Sequence, residues 1–222
     1  IVVMSRFVCT VLFCVMICMQ SCKDDGGPRN HEFLFSDIVT IISVSEPSGT
    51  RFGMQRYDDS PLIIYTASNW TAPEKYVGQR VHLYYYMVGG EPYNSGEIAV
   101  KSVRAINNGS VSAGSVSDPA WDADPVWLNA VWRTGNYLNF RLRLSYSPKP
   151  RYFSLVADES TIGLEQPQLY LVHNLDGQSQ SYMSETYASF DISHVWNRPS
   201  CRSVCVHIND VNYKARTYIF NK

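Results

Sequence analysis

Residues 137–145 read YLNFRLRLS, a strict alternation of apolar and polar side chains. Successive side chains of a β-strand point to opposite faces, so a period of two indicates a strand with one buried face. The inward set is Leu138, Phe140, Leu142 and Leu144, and the outward set is Asn139, Arg141 and Arg143. No long stretch of the chain shows the helical period. The segment therefore predicts an all-β protein, with this strand packed on a core.

Similar strand segments recur along the C-terminal half of the chain. They are separated by turn signals such as Asn174-Leu175-Asp176-Gly177. The segments are 126–132, 137–145, 151–158, 168–174, 187–192, 203–209 and 216–220. About seven strands at this spacing are typical of a β-sandwich, which we place at residues 126–222.

The N-terminal half shows five strand segments and a loop over residues 71–77. The strands are 37–45, 50–57, 61–66, 80–88 and 96–107. In the last of them the apolar phase slips between Val100 and Val103, which predicts a β-bulge. Five strands and such a loop favour a small barrel of the oligonucleotide/oligosaccharide-binding (OB) type over residues 33–110. Residues 111–125 are rich in Ser, Gly, Asp, Ala and Pro, and we interpret them as the interdomain linker.

The N-terminus resembles an export signal. Arg6 precedes the uncharged apolar run 7–19, which is too short to span about 30 Å of hydrocarbon but suits a signal peptide over residues 1–21. Ser21-Cys22 then resembles a lipobox, so we predict lipidation at Cys22 and a membrane anchor through that lipid. Plain secretion is the alternative. Residues 22–32 make the tether.

The residues that follow Cys22 bear on localisation. Lys23-Asp24-Asp25 resembles the surface-export signal of some Gram-negative lipoproteins, although it also fits a solvated linker. We therefore expect an outer-membrane lipoprotein that is exposed at the surface.

The charge balance argues against a nucleic-acid partner. The chain has 19 basic and 20 acidic residues. Removing residues 1–21 removes only Arg6, so the mature balance is 18 − 20 = −2. Domains that bind phosphate backbones are usually clearly basic.

Cys201 and Cys205 are the two cysteines outside the N-terminal segment. On one straight strand their Cα atoms would lie about 13 Å apart at ~3.3 Å per residue, whereas a disulfide needs less than ~7 Å. A disulfide therefore requires a turn between them, so we favour buried free thiols and keep the disulfide as the alternative. His207 extends the pattern towards a zinc ligand set, but the same distance argues against a metal, and we expect none.

Several segments together resemble the NigD-like family of envelope lipoproteins. Besides Cys22 and its acidic tether, they are YDDS (57–60), GQRV (78–81), VWRTGNYLNF (131–140), LYLVHN (169–174) and ASFD (188–191). The resemblance implies an N-terminal barrel and a C-terminal β-sandwich. It implies no established activity and no catalytic residues. The family name comes from a bacteriocin-related locus, which suggests an immunity role for some members.

Candidate binding residues lie on the predicted barrel. Trp70 precedes Thr71-Ala72-Pro73 and is the best candidate for an exposed aromatic side chain. His82, Tyr84 and Tyr86 form a row that could stack sugars, opposite the set Val81, Leu83, Tyr85 and Met87. The alternative is that this row faces the barrel interior or the interdomain seam.

The chain carries no recognisable catalytic motif. There is no Gly-x-Ser-x-Gly elbow and no phosphate loop, and the paired acidic residues lie beside turns. We therefore expect a non-catalytic lipoprotein, with no cofactor, that binds a protein or glycan partner. A bacteriocin-immunity lipoprotein is one alternative, and a glycan-acting hydrolase, which would need two facing carboxylates, is another.

Overall fold

The computed structural model of the chain describes residues 33–45, 49–115, 121–147, 151–177 and 181–222. The predicted signal peptide (1–21), the lipidation site Cys22 and the tether (22–32) lie outside these residues. Residues 33–222 form one compact unit.

The N-terminal half forms a closed five-stranded barrel. Its strands are β1 (Phe35–Ser45), β2 (Gly49–Met54), β3 (Ile63–Ala67), β4 (Arg80–Met87) and β5 (Gly96–Ala105). They close in the order β1-β2-β3-β5-β4, with the short β3–β5 pairing parallel and the others antiparallel. The predicted all-β fold with an N-terminal barrel is therefore confirmed.

The barrel core follows the alternation in β4. Val81, Leu83 and Tyr85 are buried inside the barrel, and their burial holds β4 in register. Opposite β4, Tyr84 pairs with Ser102 and Tyr85 with Val100, so Lys101 is the extra residue of a bulge in β5. The predicted slip between Val100 and Val103 is confirmed at that position.

The C-terminal half forms a β-sandwich of two sheets. Its elements are β6 (Asn107–Ser110), β7 (Ser112–Gly114), β8 (Trp127–Thr134), β9 (Tyr137–Ser145), β10 (Tyr152–Asp158), β11 (Gln168–Asn174), β12 (Met183–Asp191), α1 (Ser193–Trp196), β13 (Ser203–Ile208) and β14 (Thr217–Asn221). One sheet has the order β14-β13-β11-β10-β7, and the other, the four-stranded sheet, has the order β6-β12-β9-β8.

The sandwich core forms between the inner faces of these two sheets. All four side chains predicted to point inward from β9 are at most 3% exposed, and they pack with residues from both sheets. Burying one such side chain stabilises the fold by about 1.5–3 kcal/mol. Arg141 and Arg143 point away from the core and are exposed, as predicted. Asn139 also points away from that core, but it is buried because the barrel covers it.

Residues 107–114 pair differently from the expectation. The predicted barrel range ends at residue 110, yet β6 pairs in parallel with β12 of the sandwich. The predicted linker 111–125 contains β7, which pairs in parallel with β10. Both strands are short, and β6 is exposed and polar, so backbone pairing rather than a buried apolar face holds them. The exact boundary between the two domains stays a prediction.

Helical structure is minor in the described part of the chain. It consists of α1 and a single 3₁₀ turn at Glu74–Tyr76 within the predicted loop 71–77. Among the described residues, no helix is long and apolar enough to cross a membrane.

Candidate functional site

The barrel docks on the outer face of the four-stranded sheet, and we call this contact region the seam. Arg133 of β8 is buried there and donates two hydrogen bonds to the Asp59 carboxylate, at 3.0 and 3.1 Å. These bonds lower the pKa of Asp59. The Arg133 guanidinium also lies 4.3 Å from the Trp196 ring centroid. A two-pronged pair of this kind sets the orientation of the barrel on the sandwich.

A second arginine crosses the seam in the opposite direction. Arg80 of β4 donates from Nε to Ser189 Oγ at 3.0 Å and from Nη2 to Asn139 Oδ1 at 2.9 Å. Its Nη1 donates to Thr40 Oγ1 at 3.2 Å. Its guanidinium also lies 4.3 Å from the Tyr137 ring. Arg80 therefore joins the two modules through neutral groups only.

The environment of Arg80 is unusual for a buried charge. The side chain is 6% exposed, and none of the ion pairs formed by described residues includes it. Burial lowers its pKa to about 10, so the guanidinium is still protonated at neutral pH. Buried charges are ordinarily paired, because removing an ion from water is costly. Arg80 is thus a buried cation without a carboxylate partner in the described structure.

Two adjoining cavities open along the seam, and they share His82 and Tyr187 in their walls. The first, of about 270 Å³, is lined by Arg80 and by residues of both modules, including Trp132. The second, of about 260 Å³, extends between Tyr84 and Glu185. A third, more open depression of about 460 Å³ continues over the sheet past Arg141 and Tyr213. Together these three form what we call the seam groove.

His82 occupies the centre of the seam groove. Its Nε2 lies 2.6 Å from Ser36 Oγ, and its ring packs on Tyr84 and Tyr187 at centroid distances of 4.5 and 4.1 Å. Burial, and next the positive charge of Arg104, lower its pKa. His82 is therefore neutral at neutral pH and acts as an aromatic and hydrogen-bonding wall.

The predicted row on β4 is only partly brought into the groove. His82 and Tyr84 line it, and the guanidinium of Arg104 lies 5.0 Å from the Tyr84 ring. Tyr86 is half-buried and lines none of the three seam cavities. His82 and Tyr84 therefore lie at the interdomain seam, which was the alternative to a freely exposed sugar platform.

Trp70 is not the exposed aromatic side chain that its loop position suggests. It is half-buried and stacks on Phe52 at 5.9 Å, against the barrel core. The adjacent backbone is held by a hydrogen bond from the Ala72 amide to Thr50 Oγ1. The loop thus folds over one end of the barrel, and Trp70 packs there, outside the seam groove.

Cys201 and Cys205 are both buried free thiols in the structure, the arrangement that the distance argument along an extended strand favours over a disulfide. Ser203 already begins β13, and the extended backbone carries Cys205 away from Cys201. Cys201 donates instead to Ser203 O at 3.4 Å. Burial raises the pKa of both thiols. No group of three or more His, Cys, Asp or Glu side chains suited to a metal ion occurs among the described residues.

Arginines dominate the charges that line the seam groove. The lining contains two carboxylates, Asp37 and Glu185, and five arginines: Arg56, Arg80, Arg104, Arg141 and Arg143. The whole chain, by contrast, has a formal net charge of −1. The groove is therefore a positive region on a nearly neutral protein.

Both carboxylates of the groove are already engaged. Glu185 accepts hydrogen bonds from Arg141 Nε at 2.7 Å and from the Tyr187 hydroxyl at 2.6 Å, and these bonds lower its pKa. Asp37 lies 2.8 Å from the Tyr85 hydroxyl at the mouth of the barrel. Burial raises the pKa of Asp37. Neither carboxylate neutralises Arg80.

A further cavity of about 320 Å³ lies on the barrel and shares Arg56 with the first seam cavity. It is formed by the β2–β3 and β4–β5 connections, and its walls include Tyr57, Leu62 and Tyr93. Arg56 stacks on Tyr93 there, with its guanidinium carbon 3.9 Å from the ring centroid. This cavity has no buried charged group in its wall, which distinguishes it from the seam groove.

The sequence did not single out most of the residues that build the groove. Arg80, Arg104, Arg141 and Tyr187 each lie on the outward side of a strand, where a charged or amphipathic side chain usually faces water. Only the docking of the barrel on the sandwich brings them together. Periodicity places Asn139 and Arg141 on the outward face of β9, but no sequence signal indicates that the barrel covers this face.

The fold and the groove together define a class of protein: two all-β modules, an OB-like barrel and a β-sandwich, joined across a seam. The profile of the NigD-like C-terminal β-sandwich domain matches residues 111–222, half of the chain. The chain belongs to this NigD-like family, as the sequence resemblance predicts. No curated protein matches the chain.

Solved structures share this two-module fold. A protein of unknown function from Bacteroides vulgatus is 17% identical, with a TM-score of 0.64 over 86% of this chain and 91% of that chain. A NigD-like immunity protein from Bacteroides caccae is 17% identical, with a TM-score of 0.56 over 85% and 92%. A candidate lipoprotein from Bacteroides fragilis is 11% identical, with a TM-score of 0.57 over 85% and 96%. At these identities the likeness shows the fold alone.

Proposed function

We propose that this chain is a non-catalytic lipoprotein of the cell envelope that binds a protein or glycan partner in the seam groove. The observation that carries the proposal is the groove itself, where aromatic and charged side chains from both modules converge around the buried Arg80. Ligand sites typically combine apolar and aromatic walls with a few oriented polar groups, and they favour domain interfaces.

The proposed location in the cell envelope rests on the N-terminal sequence and on family membership. The apolar run 7–19 followed by Ser21-Cys22 supports export and lipidation. Membership of the NigD-like family agrees with that assignment, as does the fold shared with a candidate lipoprotein. An outer-membrane position with surface exposure is the finer part of the proposal, supported by Lys23-Asp24-Asp25.

The distribution of carboxylates supports the non-catalytic part of the proposal. Glycosidases place two carboxyl groups across one cleft, about 5–10 Å apart. No single cavity described above is lined by two carboxylates, and the two carboxylates of the seam groove, Asp37 and Glu185, lie in different cavities. Glu185 is also held ionised by Arg141 and Tyr187, which makes it a poor general acid.

A thermal-shift screen of residues 30–222 against envelope glycans and envelope fragments tests the proposal. A ligand that binds only the folded state raises the melting temperature by mass action. We expect at least one reproducible shift, abolished in Tyr187→Ala, which removes a wall shared by both seam cavities.

Trp70→Ala is the matched control for this screen, because it also removes an aromatic ring from a half-buried position but lies outside the seam groove. The control is expected to lower the baseline stability while leaving the ligand-induced shift intact. A shift lost in Trp70→Ala and retained in Tyr187→Ala would contradict the assignment to the seam.

A further inference from the structure

We propose that the partner recognised in the seam groove is an acidic glycan, with Arg80 as the buried anchor for one of its carboxylate or sulfate groups. This inference rests on the proposed binding function and deepens it by naming the class of ligand. It follows from three features of the groove: an unpaired buried cation, a positive lining, and aromatic rings beside the charges.

The first feature is the spare hydrogen-bonding capacity of Arg80. A guanidinium has five N–H donors in a planar fork, and such forks match carboxylate and sulfate oxygens. Three donors are used by Ser189, Asn139 and Thr40. The described contacts leave two N–H donors for a ligand, at the wall of the 270 Å³ cavity. An oxyanion placed there would supply the counter-charge that the protein itself does not.

The second feature is the extent of the positive lining. Beyond Arg80 the groove continues past Arg141 and Arg143 on β9, which stand two residues apart on the same face of the strand. Arg141 is paired with Glu185, whereas none of the ion pairs formed by described residues includes Arg143. Arg104 adds a further cation from β5. A row of cations along an open groove fits a ligand with repeated negative charges better than one with a single anion, since each charge finds a partner.

The third feature is the aromatic wall, which favours a glycan over an acidic peptide. The rings of His82, Tyr84 and Tyr187 pack together within the groove, with neighbouring centroids 4.1 and 4.5 Å apart. Flat aromatic surfaces offer contact area to the apolar C–H faces of sugar rings, while the Tyr187 hydroxyl oxygen, whose proton is donated to Glu185, can accept from a sugar hydroxyl. An acidic sugar combines anionic groups for the arginines, apolar C–H faces for the aromatic rings and hydroxyls for hydrogen bonds in one molecule.

Titration calorimetry with the full chain in detergent tests the inference directly. The probes are trigalacturonate and a sulfated chondroitin disaccharide, with methyl-esterified trigalacturonate as the matched neutral probe. We expect at least one acidic probe to bind, at least tenfold more tightly than the methyl ester, and more weakly as the NaCl concentration rises. The two acidic probes distinguish a carboxylate from a sulfate as the recognised group.

Arginine substitutions inside and outside the groove test where the acidic probes bind. Arg80→Gln is expected to weaken acidic-probe binding at least tenfold. Because Arg80 also joins the two modules, the double variant Arg141→Gln/Arg143→Gln, at exposed positions, provides an independent test and is expected to weaken binding at least threefold. Arg202→Gln, an exposed arginine outside the groove, is expected to bind like the unaltered chain.

The outcomes separate this inference from the proposed function. Equal binding of both acidic probes and the methyl ester would overturn the inference but leave a glycan-binding groove. Tighter binding of a hexaglutamate peptide than of either acidic sugar would overturn it in favour of an acidic protein partner. Absence of binding by every glycan and every envelope fragment would overturn both.

Discussion

At the residue scale, Arg80 and Arg133 show how similar side chains can have different roles in one seam. Arg133 forms an ion pair with Asp59, which neutralises its charge and holds the barrel on the sandwich. Arg80 is held by two hydroxyls and an amide oxygen, which orient the guanidinium without neutralising it. Orientation without neutralisation is what a pre-organised anion site requires.

The buried histidines predict how stability depends on pH. The folded-state pKa of His82 lies below 6.5, chiefly because of burial, so below that pH the unfolded chain binds more protons than the folded chain. Stability is therefore complete above about pH 6.5 and declines as the pH falls towards the folded-state pKa. His173 and His207 shift in the same direction.

Chemical denaturation at a series of pH values between 7 and 5 measures this effect. We expect the free energy of unfolding to fall with the pH, and the slope to become shallower in His82→Gln. His194→Gln is the control, because that side chain is exposed on α1. A slope unchanged by His82→Gln would show that the His82 environment is not the cause.

At the scale of elements, the hairpin between β8 and β9 fixes the place where the barrel docks. Gly135 lies in its turn with φ of +54°, a left-handed conformation that glycine adopts freely. A Cβ built there would lie 1.9 Å from Gln55 Oε1 on the barrel side of the seam. The turn therefore depends on glycine chiefly for its left-handed backbone, and an added Cβ would also displace the end of the flexible Gln55 side chain.

Gly135→Ala is consequently expected to destabilise the folded chain by about 1–3 kcal/mol, from the left-handed backbone and the displaced Gln55 together. Gly163→Ala is the matched control, since its φ is not left-handed and no atom lies within 4 Å of the added Cβ. Urea denaturation of both variants measures the difference. Equal stability of the two would contradict the account of this turn.

Sequence periodicity predicts elements well where one face of a strand is buried. Residues 137–145 and 168–174 are strands with the predicted bounds, because their inward side chains fill the sandwich core. Strands β6 and β7 escape prediction because their parallel backbone pairing leaves no pattern of apolar side chains. The seam groove cannot be predicted from the sequence for a related reason. Its arginines lie on the outward faces of separate strands, and no sequence pattern indicates that docking brings them together.

At the scale of the whole molecule, the seam makes one compact unit of two modules that each have a core. The ion pair between Arg133 and Asp59 is the charged link across it, with Arg133 buried and Asp59 largely exposed. Gly135 N also donates to Asp58 O across the same contact. Because the seam groove is shared between the two modules, its shape depends on these contacts of Arg133 and Gly135 with the barrel.

Asp59→Asn is expected to lower the stability of the chain by about 1 kcal/mol, because the buried Arg133 loses its closer charged partner. The loss is limited because Asp59 is largely exposed to solvent and Asp58 Oδ1 still lies 3.7 Å from Arg133 Nη2. The pKa of Asp59 is lowered in the folded state, so this contribution is present above its ordinary pKa of 3.8 and is lost as the pH falls below that value. Asp122→Asn, at an exposed position, is the control. A loss of stability in Asp122→Asn equal to that in Asp59→Asn would count against the link.

The central claim is that ligands bind in the seam groove, and mapping amide NMR shifts on the folded chain tests it most directly. The ligand used is the one that gives the largest thermal shift in the screen. We expect the amide signals that shift to cluster at residues 80–84, 139–143 and 185–189, on both sides of the seam. Shifts centred instead on residues 61–63 and 93–95, around the barrel cavity that Tyr93 lines, would contradict binding in the seam groove.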